Sequence, residues 1–123
     1  MGSPIIHVEL SARNYQELAG WYGRHFGWKT QNFPEMSYAT AAWGDQPGTG
    51  AGFGPENPHR PVGVVLCYIH TDDIDASIAA IVADGATLTM PRMDVSTVGA
   101  MAWFTDPDGN PMALLQPEMP EDE

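Results

Sequence analysis

Residues 4–10 alternate in character. Ile6, Val8 and Leu10 form a solid apolar set, and Ile5, His7 and Glu9 form a mixed one. A period of two predicts a strand with one face against a core. The period then lengthens. Tyr15, Leu18, Tyr22 and Phe26 recur at helical spacing, so residues 14–26 read as an amphipathic helix. Asn14 followed by Glu17 is a capping-box pair for its start. Gly27 is placed to end it in a left-handed conformation. Three extended stretches follow, at 28–33, 37–43 and 49–53. The last two are joined by the turn Gly44-Asp45-Gln46-Pro47-Gly48.

After a Pro/Gly-rich segment at 54–61, the order repeats. Residues 62–69 read as a strand. Residues 73–84 read as a helix with Ile74, Ile78, Ile81 and Val82 on one face, and Gly85 stops it. Extended stretches at 86–90, 98–105 and 111–116 complete the half. The turn Asp106-Pro107-Asp108-Gly109-Asn110 has Pro second and Gly fourth, which suits a tight reversal. The halves also match in detail. Gly27 and Gly85 lie 58 residues apart, and Trp43 and Phe104 lie 61 apart, each just before its turn.

The pattern therefore predicts a single α+β domain over 1–123, built from two βαβββ units. The first unit spans about 5–54, a linker 55–61, the second unit about 62–117, and an acidic tail 118–123. A ferredoxin-like fold with decorations is the competing architecture.

Composition narrows the function classes. The 123 residues suit one domain with a real core, and no apolar run is long enough for a bilayer. The opening residues show no signal-peptide pattern. Cys67 is the only cysteine, which fits a reducing, cytoplasmic setting. The net charge is -11, with five scattered basic residues: Arg13, Arg24, Lys29, Arg60 and Arg92. A chain like this offers nucleic acid no basic stripe and an anionic membrane no attraction. No phosphate-binding glycine loop or nucleophile elbow is present.

Three stretches carry a resemblance. They are His7-Val8-Glu9-Leu10 with a helix holding Trp21-Tyr22 and ending Phe26-Gly27-Trp28, then Thr71-Asp72-Asp73-Ile74-Asp75-Ala76 with Asp84-Gly85-Ala86, and finally Phe104-Thr105-Asp106-Pro107-Asp108-Gly109-Asn110. In combination they resemble the vicinal oxygen chelate superfamily of glyoxalases, bleomycin-resistance proteins and extradiol dioxygenases. The resemblance implies two units whose curved sheets cup a cavity, with helices on the outer faces. It also implies four metal-ligand positions, one on the first and one on the last strand of each unit.

Only one of those positions carries a ligand. His7 matches. Seven residues before Asp73 stands Leu66, three residues after Asn110 stands Ala113, and the repeat places the remaining position at Gly52. One imidazole makes no coordination shell for a divalent ion. The expectation is therefore no metal and no other cofactor. Substitution by His70 is disfavoured, because a one-residue slip reverses the strand face.

Alternation assigns the cavity lining instead. His7 and Glu9 come from the first strand, Tyr68 shares a face with Val64 and Leu66, and Met101 and Trp103 oppose the core set Ala100, Ala102 and Phe104. Gly50 and Gly52 leave room. Met112 and Leu114 face the helix, and Cys67 has the parity of a buried, inert thiol. An apolar, aromatic wall with a few polar groups is how small-molecule sites are built. The expected ligand-binding residues are His7, Glu9, Tyr68, Met101 and Trp103.

His7 and Glu9 are also the candidate catalytic pair. They stand about 6.5–7 Å apart along a strand, and Glu9 could remove a proton beside a carbonyl. Each has a plainer reading, His7 as a hydrogen-bonded interior histidine and Glu9 as a solvated strand end. Three functions follow. One is a metal-independent small-molecule-binding protein. Another is a lyase, isomerase or dioxygenase of the same superfamily, using His7 and Glu9 or a displaced metal. The third is an interaction domain with a vestigial cavity. Exposed sheet edges and aromatic content add the expectation of a homodimer.

Overall fold

The computed structural model describes residues 2–45 and 47–118. Gln46 in the first turn, and the acidic tail from 119 onward, lie outside the described residues. Contacts group the chain into two units, 6–67 and 68–118 together with 2–5.

In the first unit, β1 (Ile5–Ala12) leads into α1 (Tyr15–Phe26), then β2 (Lys29–Phe33), a single 3-10 turn at Pro34–Met36, β3 (Tyr38–Ala42) and β4 (Gly50–Pro55). The strands lie in the order β2-β3-β4-β1. β1 runs parallel to β4, pairing His7 with Gly50 and Glu9 with Gly52. β2 to β3 and β3 to β4 are antiparallel. Helix α1 starts where the capping signal put it: the Glu17 N–H donates to Asn14 Oδ1 at 3.1 Å. It ends at Gly27, whose φ of 72° is left-handed. Its inner face packs Ala19, Leu18, Tyr15 and Tyr22 against Ala39, Ala41, Ala51 and Phe53 of the sheet.

The second unit repeats the plan. β5 (Val65–His70), α2 (Ile74–Ala83), β6 (Thr87–Val95), β7 (Gly99–Thr105) and β8 (Pro111–Pro117) lie in the order β5-β8-β7-β6. β5 is parallel to β8 from Tyr68 to His70, and β7 is antiparallel to both β8 and β6. Asp73 caps α2 through the Ala76 N–H, and Gln116 Oε1 accepts from the Ile74 N–H at 2.9 Å. The same helix start is thus tied both to its own loop and to β8. Ile74, Ala100, Ala102, Phe104 and Leu114 form the core, with Met112 packed beside them.

The paired βαβββ plan is therefore observed, and several details differ from the sequence reading. Phe26 is 60 % exposed. It lies at the end of α1 and leans on Tyr22 and Trp28 at 5.8 and 6.2 Å between ring centroids. Val82 is exposed while Ile81 packs inward, because neighbouring helical residues point about 100° apart. Residues 87–95 form one strand where the reading stopped at 90. Pro91 is accommodated because β6 is an edge strand with register shifts near Met90. Val64 lies just outside β5, and Cys67 is half-buried rather than buried.

Candidate functional site

In the first unit, four polar side chains meet on the sheet. His7 and Glu9 project from β1, Tyr38 opens β3, and Arg60 comes from the segment after β4. The Tyr38 hydroxyl lies 2.7 Å from His7 Nε2 and donates toward Glu9 Oε1 at 3.3 Å. Arg60 Nη1 lies 2.5 Å from Glu9 Oε2. Glu9 and Arg60 are buried, at 4 % and 7 % exposure, while His7 and Tyr38 are half-buried. Burial holds the His7 pKa below its ordinary value, and the nearby Glu9 charge only partly opposes this.

The backbone explains why these groups meet. Arg60 closes a short two-residue bridge with Asn57, and its carbonyl accepts the Ser11 hydroxyl at 2.6 Å. The segment after β4 is thereby fastened to β1. Tyr38 needs glycines opposite it. A Cβ added to Gly52 would fall 1.8 Å from the Tyr38 hydroxyl, and one added to Gly54 would fall 3.1 Å from Arg60 Nη1. The room expected at Gly52 is real, and the Tyr38 ring fills it.

This corrects the reading of Glu9 as a solvated strand end. Glu9 is buried in an ion pair, and Tyr38 stands between it and His7. Neither Tyr38 nor Arg60 was singled out from the sequence. The signal available was the small-residue run Gly50-Ala51-Gly52-Phe53-Gly54, since glycines inside a strand mark a close approach.

In the second unit, Tyr68 is buried, and its hydroxyl accepts the Trp103 indole N–H at 3.2 Å. β7 and β8 pair Trp103 with Ala113 and Met101 with Leu115, so these residues occupy the sheet positions opposite the α2 core, as alternation assigned. Trp103 and Met101 are half-buried. Arg92 is taken up elsewhere, by Asp75 at 2.6 Å and Asp94 at 3.1 Å.

The donor set does not fit the family's metal. Gly52, Leu66 and Ala113 carry no donor atom, Leu66 and Ala113 are 1 % and 0 % exposed, and the Glu9 carboxylate already faces a guanidinium. Among the described residues no cluster of three or more His, Cys, Asp or Glu side chains is arranged to hold a metal ion. An open groove of about 500 Å³ beside the start of α1, lined by Arg13, Asn14, Glu17 and Trp21, contains none of the expected site residues.

Paired βαβββ units carrying polar side chains on the sheet define a glyoxalase-type α+β protein. The family model of the Glyoxalase/Bleomycin resistance protein/Dioxygenase superfamily matches residues 5–114, and the chain belongs to that superfamily. It is 28% identical over 116 residues to a protein named "Putative glyoxylase CFP32" of Mycobacterium bovis, covering 89% of this chain and 44% of that one. It is 35% identical over 66 residues to the uncharacterized protein YaeR of Escherichia coli K12, covering 52% of this chain and 51% of that one. The chain thus spans about half the length of the curated relatives it matches. Among solved structures, a hypothetical protein of Bacillus halodurans superposes with a TM-score of 0.70 at 10% identity, covering 100% of both chains. Streptomyces coelicolor methylmalonyl-CoA epimerase superposes with a TM-score of 0.69 at 16% identity, covering 97% of this chain and 100% of the other. At such identities these likenesses speak for the fold. No helix among the described residues is long and apolar enough to cross a membrane.

Proposed function

We propose that this chain is a metal-independent small-molecule-binding member of its superfamily, with His7 and Tyr38 as the groups that meet the ligand in the first unit. The observation that carries this reading is the His7–Tyr38–Glu9–Arg60 network. It uses hydrogen bonds and a guanidinium where relatives would use a metal and its ligands. Glu9 then serves as the counter-charge of Arg60 and not as a proton-abstracting base. Within the second unit, and independently of the first, Tyr68, Met101 and Trp103 offer an apolar and aromatic surface of their own to a small molecule. A cytoplasmic location and a homodimer belong to the same proposal, on the strength of the single cysteine and of the exposed Trp21 and Phe26.

A second reading, acid-base catalysis, has one observation in its favour. His7 is held neutral against a tyrosine hydroxyl, the state a general base needs near neutral pH.

Thermal unfolding separates metal from small molecule, because any ligand that binds the folded state raises its midpoint. Protein stripped with a chelator should unfold at the same temperature after zinc, manganese or nickel is added, while members of a metabolite panel should raise the midpoint. Elemental analysis finding one metal per subunit in protein purified without chelator would overturn the reading.

A further inference from the structure

The open groove of about 500 Å³ beside the start of α1 lies apart from the His7 network, and all of its lining comes from the first unit. Leu18, Trp21, Tyr22 and Val62 make its apolar wall, and its volume falls in the range of small-molecule sites. Trp21 is 43 % exposed and Val62 39 %, so the wall is open to a ligand. The indole is held by its neighbours. Tyr22 meets it edge-on with ring centroids 4.9 Å apart, and His25 lies 4.7 Å away. An exposed indole fixed in this way is a stacking surface for a planar ring.

The charged groups of the lining say which ring-bearing molecule fits. Arg13 and Glu17 both border the groove, and both are exposed. Among the described residues neither lies within ion-pair distance of an opposite charge. The groove thus presents one uncommitted cation and one uncommitted anion beside one aromatic plate. Asn14 Oδ1 already accepts from the Glu17 N–H, which leaves the Asn14 side-chain amide as a donor beside Arg13. A ligand with a carboxylate alone would face the Glu17 charge, and one with an ammonium alone would face the Arg13 charge. The chain's net charge of -11 further opposes an anion. A zwitterion satisfies both side chains and has no net charge to be repelled.

We propose that the groove beside α1 binds a free aromatic α-amino acid, with its ring against Trp21, its carboxylate on Arg13 and the Asn14 amide, and its ammonium on Glu17. The site is separate from the residues that carry the functional reading above, so either can fail alone.

The test uses three probes that share a phenyl ring and differ in charge: phenylalanine, 3-phenylpropanoate and phenethylammonium. Each is titrated into the full chain at neutral pH. The readout is the Trp21 indole N–H resonance, identified by its loss in Trp21→Phe. Phenylalanine should move that resonance at concentrations about two- to fivefold below those needed for either singly charged probe, the ratio that one exposed ion pair produces. Arg13→Gln should erase only the advantage over phenethylammonium, and Glu17→Gln only the advantage over 3-phenylpropanoate. Both side chains are exposed, so neither change threatens the fold. The His7 imidazole resonances should stay still. Equal midpoints for the three probes, or a preference that survives both variants, would overturn the inference. So would a Trp21 resonance that no probe moves, or His7 resonances that move in step with it. The exposed Trp21 also supports the homodimer proposed above, so each titration is run at two protein concentrations. A midpoint that rises with protein concentration would mean that a second copy fills the groove, and would overturn the amino-acid site while leaving the homodimer. The metal-independent reading is decided by the thermal unfolding comparison, which none of these outcomes touches.

Discussion

Arg60 and Glu9 form an ion pair with side chains 8% and 6% exposed. Such a pair is a weak source of stability when intact, because desolvation offsets the attraction, but removing one partner strands the other charge. Arg60→Met should therefore lower unfolding free energy by about 3–5 kcal/mol, measured by urea denaturation. Combining it with Glu9→Gln should recover most of that loss, and a double variant as unstable as the single one would contradict the pairing. His7 adds a pH dependence of definite sign. Its folded pKa lies below the ordinary 6.5 because burial disfavours the imidazolium. As pH falls through 6.5 the unfolded chain takes up a proton that the folded chain refuses, so stability is lost from there downward through the folded pKa. His7→Gln should abolish that part of the acid loss. Urea midpoints of the two proteins, followed from pH 8 to pH 5, should diverge in wild type's disfavour as pH falls; parallel curves would sink the argument. At this scale the sequence was informative for His7, whose parity and position were readable, and silent about Arg60. A lone arginine in a Pro/Gly-rich segment carries no period, and its partner depends on how the segment folds back onto β1.

The elements were the most legible level, because caps and periods are local. Asn14 and Gly27 bound α1 as expected, and Asp73 takes the same role for α2. The turn at Asp106 closes through the Gly109 N–H donating to the Asp106 carbonyl at 2.8 Å, with the Asp106 side chain accepting from the Asp108 and Asn110 amides. The Asn110 side-chain amide, donating to Asp106 Oδ2 at 3.0 Å, and after it these backbone amides hold the Asp106 pKa below the usual range. The elements misjudged were those decided by tertiary position. Phe26 obeys the helical period but lies at the end of its helix, and β6 passes through Pro91 because an edge strand need not donate on both sides. The caps make a clean test. Asn14→Ala and Asp73→Ala should each cost about 1 kcal/mol, and α2 should be the less affected because Gln116 also satisfies one of its first amides. Hydrogen exchange of the Glu17 and Ala76 amides, whose acceptors are removed, should accelerate in the respective variants.

For the whole molecule, the element order read from the sequence is the order observed, twice over, and the family model that matches residues 5–114 agrees with it. What the sequence could not reach was the content of the site. Four family ligand positions were readable one by one, but the tyrosine that fills the space over Gly52 sits 14 residues away in sequence and arrives through β3–β4 pairing. Charge is the property that belongs to the chain as a whole. With 16 acidic and five basic residues, and with Arg60 and Arg92 already in ion pairs, the surface is dominated by repulsion among carboxylates. That repulsion opposes the compact state and is screened over about 10 Å at 0.1 M salt. Raising sodium chloride from about 0.02 M to about 0.5 M shortens the screening length severalfold, so the thermal midpoint should rise, and rise further than for a variant in which exposed acids such as Asp84 and Glu118 are replaced by Asn and Gln. The buried Glu9–Arg60 pair, being shielded from mobile ions, should not reverse the trend. A midpoint that falls with salt would mean that surface ion pairs such as Arg92 with Asp75 and Asp94 outweigh the net charge.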